Sequence, residues 1–121
     1  MTVYKINDLV KFDFIKIPKT LFANPKYKKM SSDAKLTYAL LYDRLSLSIQ
    51  NNWINDDGEV YLVYTRGAIA EDLGITYKKA IAAFKELKEN NLIIDKQCGH
   101  GMPNYIFIVK PELSDTEAKK Y

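Results

Sequence analysis

Cysteine is nearly absent from this chain of 121 residues: Cys98 stands alone, so no internal disulfide can form, which fits a reducing compartment. Long apolar runs are missing as well. No stretch approaches the roughly 18 to 20 apolar residues of a membrane-spanning helix. The opening "MTVYKINDLVKF" has neither a secretory apolar region nor a small-residue cleavage site. The cytoplasm is therefore the expected compartment. Histidine occurs once, at His100. Cys98, two residues away, is not a recognised zinc spacing, and a Cys–His pair among glycines lacks the fixed geometry that nucleophilic catalysis needs. Asp56, Asp57 and Glu59 lack the rest of a calcium-loop pattern, and no glycine-rich phosphate loop occurs. These absences point away from catalysis, metal and cofactor, and toward binding.

The composition is 47% apolar and 27% charged, which places the chain among single globular domains with a self-sufficient core. The net charge of +3 is mild but unevenly spread. Residues 1–30 hold seven lysines against Asp8 and Asp13, whereas residues 31–65 carry two basic and five acidic groups. Residues 66–111 return to a basic excess. Such segregation suits a polyanionic partner, although solvated lysine-rich loops look the same.

Punctuation along the chain gives the element order. "KFDFIKIP" alternates and reads as an extended segment from Phe12 to Ile17, stopped by Pro18. Its edge must pair within the domain or with another copy. "KTLFANPKYKKM" reads as a loop or short turn anchored by Leu21 and Phe22. "SSDAKLTYALLYDRLSLSIQ" is one long helix capped by Ser31 or Ser32, with Leu36, Ala39, Leu40, Asp43 and Leu47 as its stripe. Asp57-Gly58 marks a hairpin turn, with a strand over Val60 to Tyr64 beyond it. Thr65 caps a short helix that Gly74 ends, and Thr76 caps another running to Asn90 or Asn91. "LIIDKQ" and "NYIFIVK" are strands joined by the glycine-hinged "CGHGMP". Pro111 closes the ordered pattern, so residues 1–111 form the domain and 112–121 a polar tail or the start of a linker. Two helices across a glycine turn, followed by a hairpin, make a winged helix-turn-helix of α+β class.

The helix after Thr76 carries the functional argument. Its first turn holds Lys78 and Lys79, where the helix dipole already places positive charge. With Phe84 at the centre of the inner face, Ala80, Ile81, Leu87, Asn91 and the body of Tyr77 fall within about 60° of it at 100° per residue. Lys88 falls there too and must reach out from the edge. The outer side displays Lys78, Lys79, Ala82, Lys85, Glu86 and Glu89, with its cations toward the N-terminus. That is the end of a second helix that enters the major groove in helix-turn-helix proteins. Lysines there can meet phosphates or guanine edges, and the short Ala82 and Ala83 let the backbone approach. An ordinary solvent face with an i,i+4 Lys85–Glu89 pair would carry the same residues; the wing tips the balance toward double-stranded DNA. Thr76, Tyr77, Lys78, Lys79, Ala82 and Lys85 are therefore expected at the duplex, with Lys96, Gln97 and His100 from the wing. Arg66 is placed to hold a phosphate from a helix N-terminus, and Lys26, Lys28 and Lys29 either do likewise or are simply solvated.

Several motifs in order carry a resemblance: "IPKTLF", "SSDAKLTYALLYDRLSLS", "WINDDGEVY" and the helix-turn-helix "DLGITYKKAIAAFKELKENNLI". Together they resemble the N-terminal domain of RepA_N-type plasmid replication initiators. The resemblance covers about residues 12 to 109. It implies a winged-helix domain that binds repeated origin sites (iterons), usually as a homodimer. It also implies a second, DnaD-like C-terminal domain that engages host replication proteins. Nothing in these residues corresponds to that second domain, so a chain cut in the linker after Pro111 is the expectation. A winged-helix transcriptional repressor and a protein-interaction winged helix are the alternatives. The first would differ in where its sites lie, the second in shifting no duplex at all.

Overall fold

Hydroxyl and amide caps divide the chain into its helices. In the computed structural model, residues 2–8 and 13–114 are described. A short 3-10 turn, Ile6–Asp8, comes first. Two four-residue helices follow, α1 (Thr20–Ala23) and α2 (Pro25–Lys28). The Asn24 side chain caps α2 by accepting from Lys26 N, with Pro25 at the first helical position, where its missing N–H costs nothing. Ser31 caps α3 (Ser32–Asp43), its hydroxyl accepting from Ala34 N at 3.1 Å. After α4 (Leu45–Gln50), Thr65 caps α5 (Arg66–Leu73) and Thr76 caps α6 (Tyr77–Glu89).

Left-handed residues end the two later helices. Gly74 has φ +69°, and Ile75 N donates to Ala70 O. Asn91 has φ +57°, and Leu92 N donates to Leu87 O. Both are Schellman closures, one using glycine's freedom and one asparagine's tolerance of that region. The second turns the chain directly into β1 (Ile93–Lys96), which pairs antiparallel with β2 (Tyr105–Ile108). Leu62 and Ile106 add a bridge to the outer side of β2, exchanging both backbone hydrogen bonds at 2.8 Å.

The core lies where α3 and α5 pack against α6, roofed by the sheet. Leu21, Tyr38, Leu41, Ile69, Ala80, Phe84, Leu87, Leu92 and Ile106 are all essentially inaccessible. Opposed pairs Ile93–Ile108 and Asp95–Ile106 share one face of the sheet, Ile94–Phe107 and Lys96–Tyr105 the other. The inner face is the apolar roof, with one carboxylate set into it.

Several expectations are corrected. No strand forms between Asp13 and Ile17, and Phe12 lies outside the described residues. The anticipated loop after Pro18 is α1 and α2, in which Leu21 is buried but Phe22 is 52% exposed. The single long helix breaks at Arg44, and its stripe is rotated: Leu36 and Leu47 are exposed while Lys35 and Thr37 are buried. Those two polar groups find local acceptors, Lys35 Nζ donating to Lys28 O at 3.1 Å and Thr37 Oγ1 to Asp33 O at 2.7 Å. Aliphatic count alone cannot foresee such satisfied burial. The strand expected over Val60 to Tyr64 is reduced to isolated bridges at Val60 and Leu62. Its turn is built by Asn55, whose Oδ1 accepts from Asp57 N and Glu59 N. At the start of the polar tail Glu112 is anchored to the domain: its N–H donates to Tyr27 Oη at 2.9 Å, and its carbonyl accepts from Thr20 and Asn24. Residues 115–121, the rest of the expected tail, lie outside the described residues.

One consequence concerns alkaline stability. Burial pushes the Tyr38 phenol up to about 12, and burial with an Asp72 hydrogen bond does the same for Tyr64. A phenol raised in the folded state stabilises fully below the ordinary value near 10, and that contribution is lost as pH climbs toward 12. Denaturant melts at pH 8 and pH 11 are expected to show lower stability at pH 11. Tyr38→Phe, which also forfeits the 2.8 Å bond to Val109 O, should start less stable at pH 8 and lose less between the two.

Candidate nucleic-acid interface

The Thr76 hydroxyl starts α6 by accepting from Lys79 N at 3.2 Å, so the helix opens on three exposed side chains, Tyr77, Lys78 and Lys79. Among the described residues neither lysine forms an ion pair. Ala82 and Lys85 continue that outer face. Lys85 meets Glu89 at 3.9 Å with both side chains well exposed, an arrangement that holds Lys85 only weakly.

The helical wheel needs correction at four positions. Tyr77 is 59% and Ile81 45% exposed, and Asn91 is exposed rather than in the core. Ala83 is buried, so Ala82 alone is the small residue on the outer side. The cause is that α3 and α5 meet α6 along a line through Ala80, Ala83, Phe84 and Leu87. That line is rotated toward position 83, away from the arc containing 77 and 81. Glu86 also leaves the free surface. Its carboxylate accepts from Ser31 N at 3.0 Å and from the Ser31 hydroxyl. This places negative charge at the N-terminus of α3, where the dipole favours it. The outer face is thereby more cationic than the sequence suggested, since one of its two glutamates is withdrawn.

The wing presents Lys96, Gln97 and His100 to solvent, together with Met102. Gly99 (φ +136°) and Gly101 (φ +76°) make the sharp tip. Behind it the Tyr61 and Tyr105 rings stack at 4.2 Å, with Trp53 parallel to Tyr61 at 6.2 Å. This aromatic column stiffens the sheet's outer side.

Arg66 has an occupation that the sequence did not signal. Its guanidinium pairs with Asp95 at 2.6 Å and lies 4.4 Å from the Phe84 ring centre. Lys88, correctly placed at the edge, reaches the same carboxylate at 3.8 Å. The loop lysines divide: Lys26 pairs with Glu112 at 3.0 Å, while Lys28 and Lys29 are exposed. Among the described residues no three His, Cys, Asp or Glu side chains gather where a metal ion could be held.

The two candidate surfaces adjoin. A cleft of about 180 Å³ is lined by Thr65, Arg66 and Gly67 of the α5 start, by Tyr77 of the α6 start, and by Pro103 and Asn104 of the wing. A larger apolar cavity of about 820 Å³ lies among Tyr42, Leu45, Ile49, Ile94, Phe107 and Pro111, with no residue of α6 in its lining. No helix among the described residues is long and apolar enough to cross a membrane.

Comparison with known proteins agrees with this architecture. A curated 41 kDa protein of Lactobacillus helveticus is 31% identical over 110 residues, which is 86% of this chain and 31% of that protein. The chain thus spans about a third of that relative's length. Among solved structures, one described as the N-terminal domain of a DNA-binding protein superposes with a TM-score of 0.82 at 33% identity, covering 99% of this chain and 92% of that one. A Rep–DNA complex gives 0.82 at 34%, covering 98% and 92%, and an MDR initiator 0.79 at 35%, covering 98% and 94%. The profile of the replication initiator protein A (RepA) N-terminus matches residues 13–121. With that match spanning nearly the whole chain and the winged helix-turn-helix in place, the chain belongs to the RepA N-terminal family.

Proposed function

We propose that this domain binds double-stranded DNA sequence-specifically at repeated origin sites, as the DNA-reading part of a plasmid replication initiator, without catalysis. The observation that carries the reading is the start of α6, where Lys78 and Lys79 are exposed with no ion pair among the described residues and the neighbouring Tyr77 lines one cleft with Pro103 and Asn104 at the base of the wing. Lys78, Lys79 and Lys85 supply phosphate or guanine contacts, and Tyr77 and Thr76 stand at the end that enters the groove. Ala82 leaves room for the backbone to come close. Lys96, Gln97 and His100 extend the contact along the duplex. Arg66 serves chiefly by bracing the wing, its guanidinium being committed to Asp95. Support also comes from the Rep–DNA complex, which matches nearly the whole chain.

A homodimer completes the proposal. Repeated or symmetric sites are matched by paired domains, and the exposed Phe14, Ile49, Ile94 and Leu113 offer apolar surface that a self-complementary contact would bury. Contact with host replication proteins belongs to sequence outside this domain.

A mobility-shift assay with an origin-repeat duplex and a scrambled duplex tests the reading. The expected result is a shift of both at low salt, with only the origin complex surviving at 150 mM. No shift of either at low salt would remove DNA as the partner and favour a protein-interaction role.

A further inference from the structure

The Asp95 side chain is only 4% exposed, yet three donors converge on it. Arg66 Nη2 lies 2.6 Å and Lys88 Nζ 3.8 Å from Oδ2, while Asn104 Nδ2 donates to Oδ1 at 3.1 Å. The partners come from different parts of the fold: the first residue of α5, the last turn of α6, and the residue that leads into β2. Asp95 itself belongs to β1. The Phe84 ring beneath Arg66 adds the middle of α6 to the same junction.

Stability does not require this arrangement. Position 95 faces inward beside Ile93, opposite Ile106, and an apolar side chain there would have avoided the cost of burying charge. Buried ion pairs are seldom more stabilising than well-packed apolar groups of similar volume. A guanidinium–carboxylate contact does supply direction, because its geometry fixes an angle that aliphatic packing leaves loose.

We infer that Asp95 is a positioning residue whose junction with Arg66, Lys88 and Asn104 sets the angle of the wing to the recognition helix. Lys96 follows Asp95 in the strand, so its side chain points to the opposite face of the sheet. Fixing Asp95 inward fixes Lys96 outward, and Asn104 fixes the returning end of the tip. The junction thus presents wing and helix start to one duplex at once. The inference rests on the duplex-binding reading above and names what makes its two halves act together.

The test is a double-mutant cycle read by fluorescence anisotropy on the origin-repeat duplex, at a temperature where circular dichroism shows every variant folded. Asp95→Asn is expected to weaken binding about tenfold in the otherwise native chain. In a background carrying Lys96→Ala, Gln97→Ala and His100→Ala together, where the wing contacts are already lost, the same change should cost less than threefold. Asn104→Ala, a milder change that keeps the Arg66 pair, should show the same dependence and decides the matter if Asp95→Asn does not fold. Equal fold losses in both backgrounds would overturn the inference and reduce Asp95 to general structural support. Failure of the unmodified chain to bind the duplex would instead remove the reading on which it rests.

Discussion

Replacing both Lys78 and Lys79 with alanine is expected to weaken binding to an origin-repeat duplex about 100-fold while leaving the fold as stable as before, or slightly more so. A hydrogen bond to a charged group contributes roughly 1.5 kcal/mol net, about tenfold in affinity for each lysine. The salt dependence should change with it. Each neutralised phosphate contributes about −0.9 to the slope of log affinity against log salt, so the double variant should flatten that slope by about 1.8. Thermal stability moves the other way. The two ammonium groups sit at the positive end of the α6 dipole without ion-pair partners among the described residues, and their removal relieves a few tenths of a kcal/mol each. Binding lost without stability lost separates a reading surface from a structural one. Unchanged binding with an unchanged slope would show that α6 does not face the duplex.

The largest expected effect on stability is that of Phe84→Ala. Phe84 is fully buried where α3, α5 and α6 meet, and its ring also carries the Arg66 guanidinium. Truncating a buried phenylalanine costs about 3–5 kcal/mol, against a total of roughly 5–15 kcal/mol for a domain. A melting-temperature fall of about 15 °C follows for a chain of this size. The control is Ile81→Ala on the same helix. Ile81 is 45% exposed, so its truncation should cost about 1 kcal/mol. Equal losses at the two positions would contradict the rotated packing line of α6.

That rotation shows what the sequence discloses and what it withholds. The starts of α3, α5 and α6 and the end of α5 were legible because Ser31, Thr65, Thr76 and Gly74 act locally: each cap bonds within three or four residues of itself. The wing was legible for the same reason, through the glycines and proline of its tip and the apolar runs on either side. The facing of α6 was legible only to within about one position, because the wheel records periodicity and not the direction from which α3 and α5 arrive. Thus Tyr77 and Ile81 turned outward and Ala83 inward. The buried Lys35 and Thr37 on α3 were hidden because a count of aliphatic positions does not register their backbone acceptors, Lys28 O in α2 and Asp33 O one turn back in α3.

The candidate site divides in the same way. Lys78, Lys79, Lys85, Lys96, Gln97 and His100 are solvent-facing, as expected of polar side chains on the outer arc of α6 and on a glycine-hinged tip. The intramolecular partners of Arg66 and Glu86 were not legible because they lie far along the chain, Asp95 twenty-nine residues from Arg66 and Ser31 fifty-five from Glu86. No spacing rule joins such pairs. One engagement withdraws a carboxylate from the open face of α6, and the other joins strand β1 of the wing to the start of α5.

The most direct measurement is a titration of the amide-labelled chain with an origin-repeat duplex, followed by two-dimensional NMR. The account predicts the largest chemical-shift changes from Thr76 to Lys85 and from Lys96 to Pro103, larger than any that pairing of domains produces around the apolar cavity of Ile49 and Phe107. Changes centred on that cavity, with the start of α6 unmoved, would contradict it.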